Sequence, residues 1–316
     1  MSVSEKRKLI IDCDPGQDDA INLFMALSDQ TFDILGITTS AGNVGISKTT
    51  RNARLICELT NRPDIAVYAG AKTPIRHSLE TAEFIHGVEG LDGIEIFEPH
   101  HPVQPIVAKD FIVSTLRAVD TPVTLVVTGP MTNIALALSE APDIASKINE
   151  IVLMGGAFCE GGNMTPSAEF NIFVDPEAAK IIFESDIPKV VFGLDVTYQV
   201  LTSPDVIARI EAIDNPVARA ANGILRSYER TDTARFNEQV APLHDPCTIA
   251  WLLDPEIFKL KACNIRVEAD SDLTRGHTSV DFWNRTELPQ SSLWAYEADR
   301  DRFFDLLIKR LEQYEA

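Results

Sequence analysis

The sequence has no excess of basic residues: 28 Lys and Arg stand against 47 Asp and Glu, a formal net charge of −19 over 316 residues. A nucleic-acid partner is thereby disfavoured, because proteins that neutralise a phosphate backbone carry a basic patch. A small neutral substrate or a cation suits the chain better. Cysteine is sparse and unpatterned. Cys13, Cys57, Cys159, Cys247 and Cys263 are odd in number, widely spaced and mostly set among apolar neighbours, so neither a zinc-ligand spacing nor a disulfide framework is present. No apolar stretch reaches the roughly 20 residues that span a bilayer. The opening MSVSEKRKLIIDCDPG passes from a charged octet into an apolar strand without the hydrophobic core of a secretion signal. The expectation is a cytoplasmic protein with no membrane partner. Gly and Pro are not pooled into a linker, and no repeat or low-complexity tract breaks the chain, so residues 1–316 read as one domain.

What is present is an alternation. KLIID, DILGITTS, IAVYAG, VTLVVTG, EIVLMGG and KVVFGLD are short apolar runs rich in β-branched residues, the mark of buried strands. Helical periods such as SKTTRNARLICELTN, AKDFIVSTLRAV, TNIALALSEAP and DPEAAKIIFESD lie between most of them. The pattern predicts an α/β fold with a central, mainly parallel sheet flanked by helices, Rossmann-like in its right-handed βαβ units. Farther on, KACNIRVEAD, HTSVDFW and SSLWAYEA predict small peripheral antiparallel strands, closed by the amphipathic helix ADRDRFFDLLIKRLEQYEA. Trp251, Phe303 and Phe304 read as helix core, and the His100–His101 pair as surface.

Ligands of such a sheet bind outside the carboxyl ends of its strands, and the unusual polar residues follow strands. DCDPGQDD follows the first, SAGN the second, TGPMTN the fourth and MGGAFCEGGNMTPSAEFN the fifth, while PLHDPCTIAWLLDP sets His244 and Asp245 at another helix start. The densest of these, LIIDCDPGQDDAIN, puts four aspartates within eight positions. Like charges so close push each other's pKa upward. Asp18 and Asp19 could cap the following helix, but capping leaves Asp12 and Asp14 without a purpose. A hard divalent cation would turn the repulsion into binding, since Ca²⁺ or Mg²⁺ takes carboxylate and carbonyl oxygens. Asp12, within the strand, reads instead as an acceptor of backbone hydrogen bonds from neighbouring loops.

DCDPGQDDA, TGPMTNIA, MGGAFCEGGNMTPSAEFNIFVDPEAA and LHDP, taken in order, resemble the motifs of the inosine-uridine-preferring nucleoside hydrolases, and the resemblance covers essentially the whole chain. It implies hydrolysis of the N-glycosidic bond of ribonucleosides for nucleoside salvage, an α/β fold with one tightly held Ca²⁺ per subunit, a small-molecule ribonucleoside as partner, and assembly into a homodimer or homotetramer. Carried over residue by residue, it assigns the cation to Asp14, Asp19, the carbonyl of Thr128, and Asp245. Asp14 would also take the proton of the attacking water. Asp18, Asn171 and Asn43 would bind the ribose 2′- and 3′-hydroxyls, Asn163 and Glu169 the 5′-hydroxyl, and Met154 would line the ribose pocket. His244 would assist the leaving base, with His86 and Tyr228 covering it. One departure from the pattern is Asp232, where some relatives carry an aromatic, which leaves base preference open. Asn22, where relatives carry small apolar residues, is another.

Without the resemblance, His86 in FIHGVEGLDG reads as a solvent-exposed loop histidine. Cys13 and Cys247, close to the expected cation, read as packing residues because Ca²⁺ prefers oxygen. Two rival readings compete. LIIDCD also looks like the strand and DxD of haloacid-dehalogenase-like Mg²⁺ phosphotransferases, with Asp12 as nucleophile, but Pro15 stands where Thr or Val is expected. A non-catalytic nucleoside-binding protein would keep the ribose pocket but has no reason to keep both Asp14 and His244.

Overall fold

The computed structural model describes residues 6–228 and 240–315; Asp232 lies outside them. The six runs read as buried strands form β1 (Arg7–Cys13), β2 (Phe32–Thr39), β3 (Val67–Ala69), β4 (Val123–Val127), β5 (Ile148–Met154) and β6 (Lys189–Phe192). They are followed by β7 (Phe258–Cys263), β8 (Ile265–Val267), β9 (Thr278–Val280) and β10 (Ser292–Ala298). Eight strands make one sheet in the order β3-β2-β1-β4-β5-β6-β10-β7. It is parallel from β3 through β10, and only β7 runs against its neighbour. β8 and β9 form a separate antiparallel pair.

Side chains alternate between the two faces of this sheet, as a strand's period of two requires. From β1, Leu9, Ile11 and Cys13 enter a core shared with Phe24, Ile224 and Phe304, on helices Gln17–Leu27, Pro216–Tyr228 and Arg300–Leu311. Ile10 faces the opposite core, with Ile112 and Ile134 of helices Ala108–Ala118 and Thr132–Glu140. Each fully buried Leu, Ile or Phe contributes about 1.5–3 kcal/mol relative to exposure, so both faces favour one register. Phe303 and Phe304 are fully buried and Trp251 packs against the first core, as expected.

Two expectations need correction. SSLWAYEA is not peripheral: as β10 it is an interior strand of the main sheet, because its buried face carries Trp294, whose ring lies flush against Gly193 where a Cβ would collide with it. His101 is buried, not at the surface, because Arg54 donates through Nε to the His101 carbonyl (2.5 Å) and Glu58 accepts from its backbone N–H (3.3 Å). No described helix is long and apolar enough to cross a membrane.

The chain runs outward from β1 to β2 and β3, then returns to lay β4 on the other side of β1 and continues to β5 and β6. The connections after β1 and β4 thus diverge, and a crevice opens at the carboxyl ends of these two strands. Because Trp294 is fully buried in the second core and packs against Gly193, Trp294→Ala is expected to cost about 3–5 kcal/mol, read as a lowered urea midpoint at unchanged slope; an unchanged midpoint would contradict this packing.

Candidate active site

The β1–β4 crevice deepens into a cavity of about 500 Å³, a volume typical of small-molecule sites. Asp18 and Asp245 line it, and Asp14 and Asp19 gather beside them. Asp14 follows β1 directly and is fully buried; its Oδ2 accepts from the backbone N–H of Asn43 (2.6 Å), after β2. The Asn43 amide donates to the Asp14 carbonyl and to Asp19 Oδ2, both at 3.1 Å. Glycine is required on both sides of this carboxylate, for a Cβ at Gly42 or at Gly129 would collide with its oxygens.

Helix Gln17–Leu27 starts one residue after Gly16, so Asp18 and Asp19 sit in its first turn, where the helix dipole favours negative charge. Asp19 does cap, accepting from Gly16 N–H (3.0 Å), but its other oxygen accepts from the Thr128 hydroxyl (2.7 Å), after β4. Asp245 precedes helix Pro246–Leu253. One carboxylate oxygen each from Asp18, Asp19 and Asp245 lies within 4.8 Å of the others. The closest trio therefore contains Asp18, expected on the ribose, while Asp14 stands behind it with Oδ2 held by Asn43.

Burial is the first cause of the unusual electrostatics, and mutual repulsion the second. The two together raise Asp14 and Asp245 well above the usual carboxylate range and push Asp18 up to about 7. Burial also raises Asp19, against the N–H and hydroxyl bonds it accepts. No Lys or Arg lines the cavity among the described residues, and Asp14 Oδ1 is buried without a hydrogen-bond partner. An all-oxygen donor set, desolvated and lacking a basic counter-ion, fits a hard divalent cation.

Elsewhere in the lining, Asn171 donates through Nδ2 to the carbonyls of Thr128 (3.0 Å) and Met154 (3.2 Å), tying the ends of β4 and β5 together. Glu169 caps the helix Phe170–Val174: Oε1 accepts from Asn171 N–H (2.9 Å), and Oε2 from Gly156 N–H (2.9 Å) and Ile172 N–H (3.2 Å). Burial nevertheless pushes Glu169 up to about 7. Asn163 Oδ1 accepts from Phe170 N–H (2.9 Å).

Also in the cavity lining is His244, whose Nδ1 lies 2.7 Å from Thr197 Oγ1, and the Tyr198 ring meets the imidazole edge-on, centroids 5.5 Å apart. His86, far from being exposed, is buried because it stacks on Tyr228 (centroids 5.7 Å, planes 17° apart) and accepts at Nδ1 from Gln17 N–H (3.3 Å). Every expected residue except Asp14 and Asp19, which stand behind the wall, lines the cavity. Sequence reasoning missed Thr197 and Tyr198, whose local patterns carry no signal of a site, and also Phe84 and Met164, which lie beside the singled-out His86 and Asn163.

Asp12 does not line the cavity. Its Oδ1 accepts from the side chains of Thr38 (2.5 Å) and Asn133 (2.8 Å), not from loop backbone, and burial pushes its pKa to about 7. That removes the nucleophile required by the phosphotransferase reading. Asn22 also gains an account: Thr248 donates its hydroxyl to Asn22 Oδ1 (3.2 Å), joining helix Gln17–Leu27 to helix Pro246–Leu253 next to Asp245. Cys13 and Cys247 are buried, and burial followed by nearby carboxylate charge holds their thiols protonated, as packing residues.

An α/β sheet with an acid-lined crevice at its switch point defines a ligand site rich in oxygen donors, and comparison identifies the family. The model of the inosine-uridine preferring nucleoside hydrolases matches residues 9–305, and the chain belongs to that family. The pyrimidine-specific ribonucleoside hydrolase RihA of Shewanella sp. (strain MR-4) is 47% identical over 311 residues, 98% of this chain and 97% of that protein. An uncharacterized protein of Schizosaccharomyces pombe is 43% identical over 305 residues, 96% of this chain and 98% of its own length. Among solved structures, the plant nucleoside hydrolase PpNRh1 superposes with a TM-score of 0.91 at 31% identity, over 97% of this chain and 99% of that one. A purine-preferring ribonucleoside hydrolase from Gardnerella vaginalis gives 0.90 at 32% identity, over 97% and 98%.

Burial pulls His86 down to about 4. An unfolded histidine takes up a proton below pH ~6.5 while the folded ring does not until about 4, so this group's contribution to stability is complete above pH ~6.5 and is lost as pH falls through that window. Histidine NMR is expected to find His86 neutral from pH 7.5 down to 5; a titration midpoint near 6.5 would contradict its burial.

Proposed function

We propose that the protein hydrolyses the N-glycosidic bond of ribonucleosides to ribose and free base, using one Ca²⁺ per chain. The observation that carries this reading is the trio of buried carboxylates in a cavity with no Lys or Arg among its described lining residues. Asp14, Asp19, the Thr128 carbonyl and Asp245 would hold the ion, with Asp18 adjoining. When bound, such a cation acts as a Lewis acid that lowers the pKa of a water.

The remaining work falls to the chain. Asp14 takes the proton of the attacking water at Oδ1, the oxygen with no other partner, while Asn43 N–H holds Oδ2 in place. Asp18, Asn43 and Asn171 bind the 2′- and 3′-hydroxyls; Asn163 and Glu169 bind the 5′-hydroxyl, and Met154 backs the sugar. Cleavage passes through an oxocarbenium-like transition state, and hydrogen bonds to the 2′-hydroxyl that strengthen there lower the barrier. His244 assists departure of the base, which His86 and Tyr228 cover. The relatives named pyrimidine-specific RihA, at 45–47% identity, support uridine ahead of purine nucleosides; the purine-preferring structure is more distant at 32%.

The test is ribose release from uridine, cytidine, inosine, adenosine and 2′-deoxyuridine, with and without strong chelation. Ribose from uridine, little sugar from the deoxy analogue, and loss of activity on chelation that Ca²⁺ restores are expected. No release from any ribonucleoside would overturn the proposal.

Two substitutions divide the mechanism. Asp14→Ala is expected to lower kcat by about 10²–10⁴-fold or more on every substrate, p-nitrophenyl riboside included. His244→Ala is expected to cripple natural nucleosides yet largely spare p-nitrophenyl riboside, whose leaving group departs unaided; equal losses on the two would remove His244 from its role.

A further inference from the structure

Thr197 ends the short helix Leu194–Thr197 beyond β6, is fully buried, and does not line the cavity. Its Oγ1 lies 2.7 Å from His244 Nδ1 and has no second hydrogen-bond partner among the described residues. The direction of that bond follows from what each choice leaves unpaired. Were the proton on Nδ1, the Thr197 oxygen would accept it and its own O–H would be buried with nothing to receive it, which carries the full desolvation penalty of an orphan donor. With Nδ1 bare, the hydroxyl donates to it and both atoms of the pair are satisfied. The neutral imidazole then carries its proton on Nε2, the nitrogen on the far side of the ring from Thr197.

We propose that Thr197 is a positioning residue that holds His244 in the Nε2–H tautomer, so that the uncharged ring presents an N–H to the departing base. The inference rests on the proposed function for its consequence, though not for its geometry. When the glycosidic C–N bond breaks, its electron pair goes to the base, and the Nε2–H stabilises that charge as a hydrogen-bond donor. No proton leaves His244; the base acquires its proton from solvent afterwards. The edge-on Tyr198 ring opposes a flip of the imidazole that would exchange the two nitrogens. His86 obeys the same rule: Gln17 N–H points at its Nδ1, so its proton too belongs on Nε2. Both imidazoles are thereby set as donors while neutral.

The test uses the full chain labelled with ¹⁵N-histidine, together with Thr197→Val, which keeps the shape and removes the hydroxyl, and Thr197→Ser, which keeps the hydroxyl. The His244 signal, assigned by its loss in His244→Gln, is expected to report Nε2–H in the wild type and in Thr197→Ser but not in Thr197→Val. With uridine, Thr197→Val is expected to lower kcat about tenfold with KM within about twofold, to change p-nitrophenyl riboside turnover less than about twofold, and to be rescued by Thr197→Ser. An Nδ1–H signal in the wild type overturns the proposal, as does full uridine turnover in Thr197→Val or an equal loss on both substrates. If the wild type cleaves no ribonucleoside, the proposed function fails by itself, and the tautomer measurement still decides the assignment for Thr197.

Discussion

Carboxylates that water cannot reach repel one another strongly, and the ends of β1 and β4 are built around that repulsion. Asp14, Asp18, Asp19 and Asp245 come from two distant segments, and no lysine or arginine among the described residues lines the cavity with them. Their burial is accommodated by glycines at 42 and 129 that leave room for a carboxylate, by the Asn43 N–H and Thr128 hydroxyl that bind one oxygen each, and by a helix start that points its dipole at the acids. Removing any of these frees an oxygen without relieving the charge. The arrangement is coherent as an unmet demand for positive charge, which a divalent cation satisfies more fully than a shared proton does.

The cavity lining combines two chemistries. Carboxylate and amide groups come from Asp18, Asn43, Asn171 and Asp245, and aromatic and imidazole rings from Tyr228 stacked on His86 and Tyr198 set against His244. A ribonucleoside has the same two kinds of part, a hydroxylated sugar joined to a flat heterocycle, whereas a plain cation site needs only the first.

Much of this was legible in the sequence, and the reason is physical. β1 to β6 are short β-branched runs buried on both faces, and the acid and amide residues cluster after them because loops at strand ends are where ligands are met. What stayed hidden depends on partners far along the chain. Thr197 is an ordinary helix-end threonine until His244, 47 residues on, packs against it. The side-chain donors to Asp12, Thr38 and Asn133, come next to it only in the fold, so the strand by itself points to loop backbone instead. His101 sits in a polar stretch and is buried by an arginine from another element. The position of β10 was obscured by its alternating exposure, since a half-buried pattern fits a peripheral hairpin as well as an interior strand near the sheet's edge.

The hydroxyl bond from Thr248 to Asn22 spans 226 residues of chain. It ties the helix that carries Asp18 and Asp19 to the helix that Asp245 precedes. The loop closed by that pairing is long, yet its entropic cost grows only with the logarithm of its length. Any group bound by all three carboxylates at once would hold together segments far apart in sequence and oppose their separation.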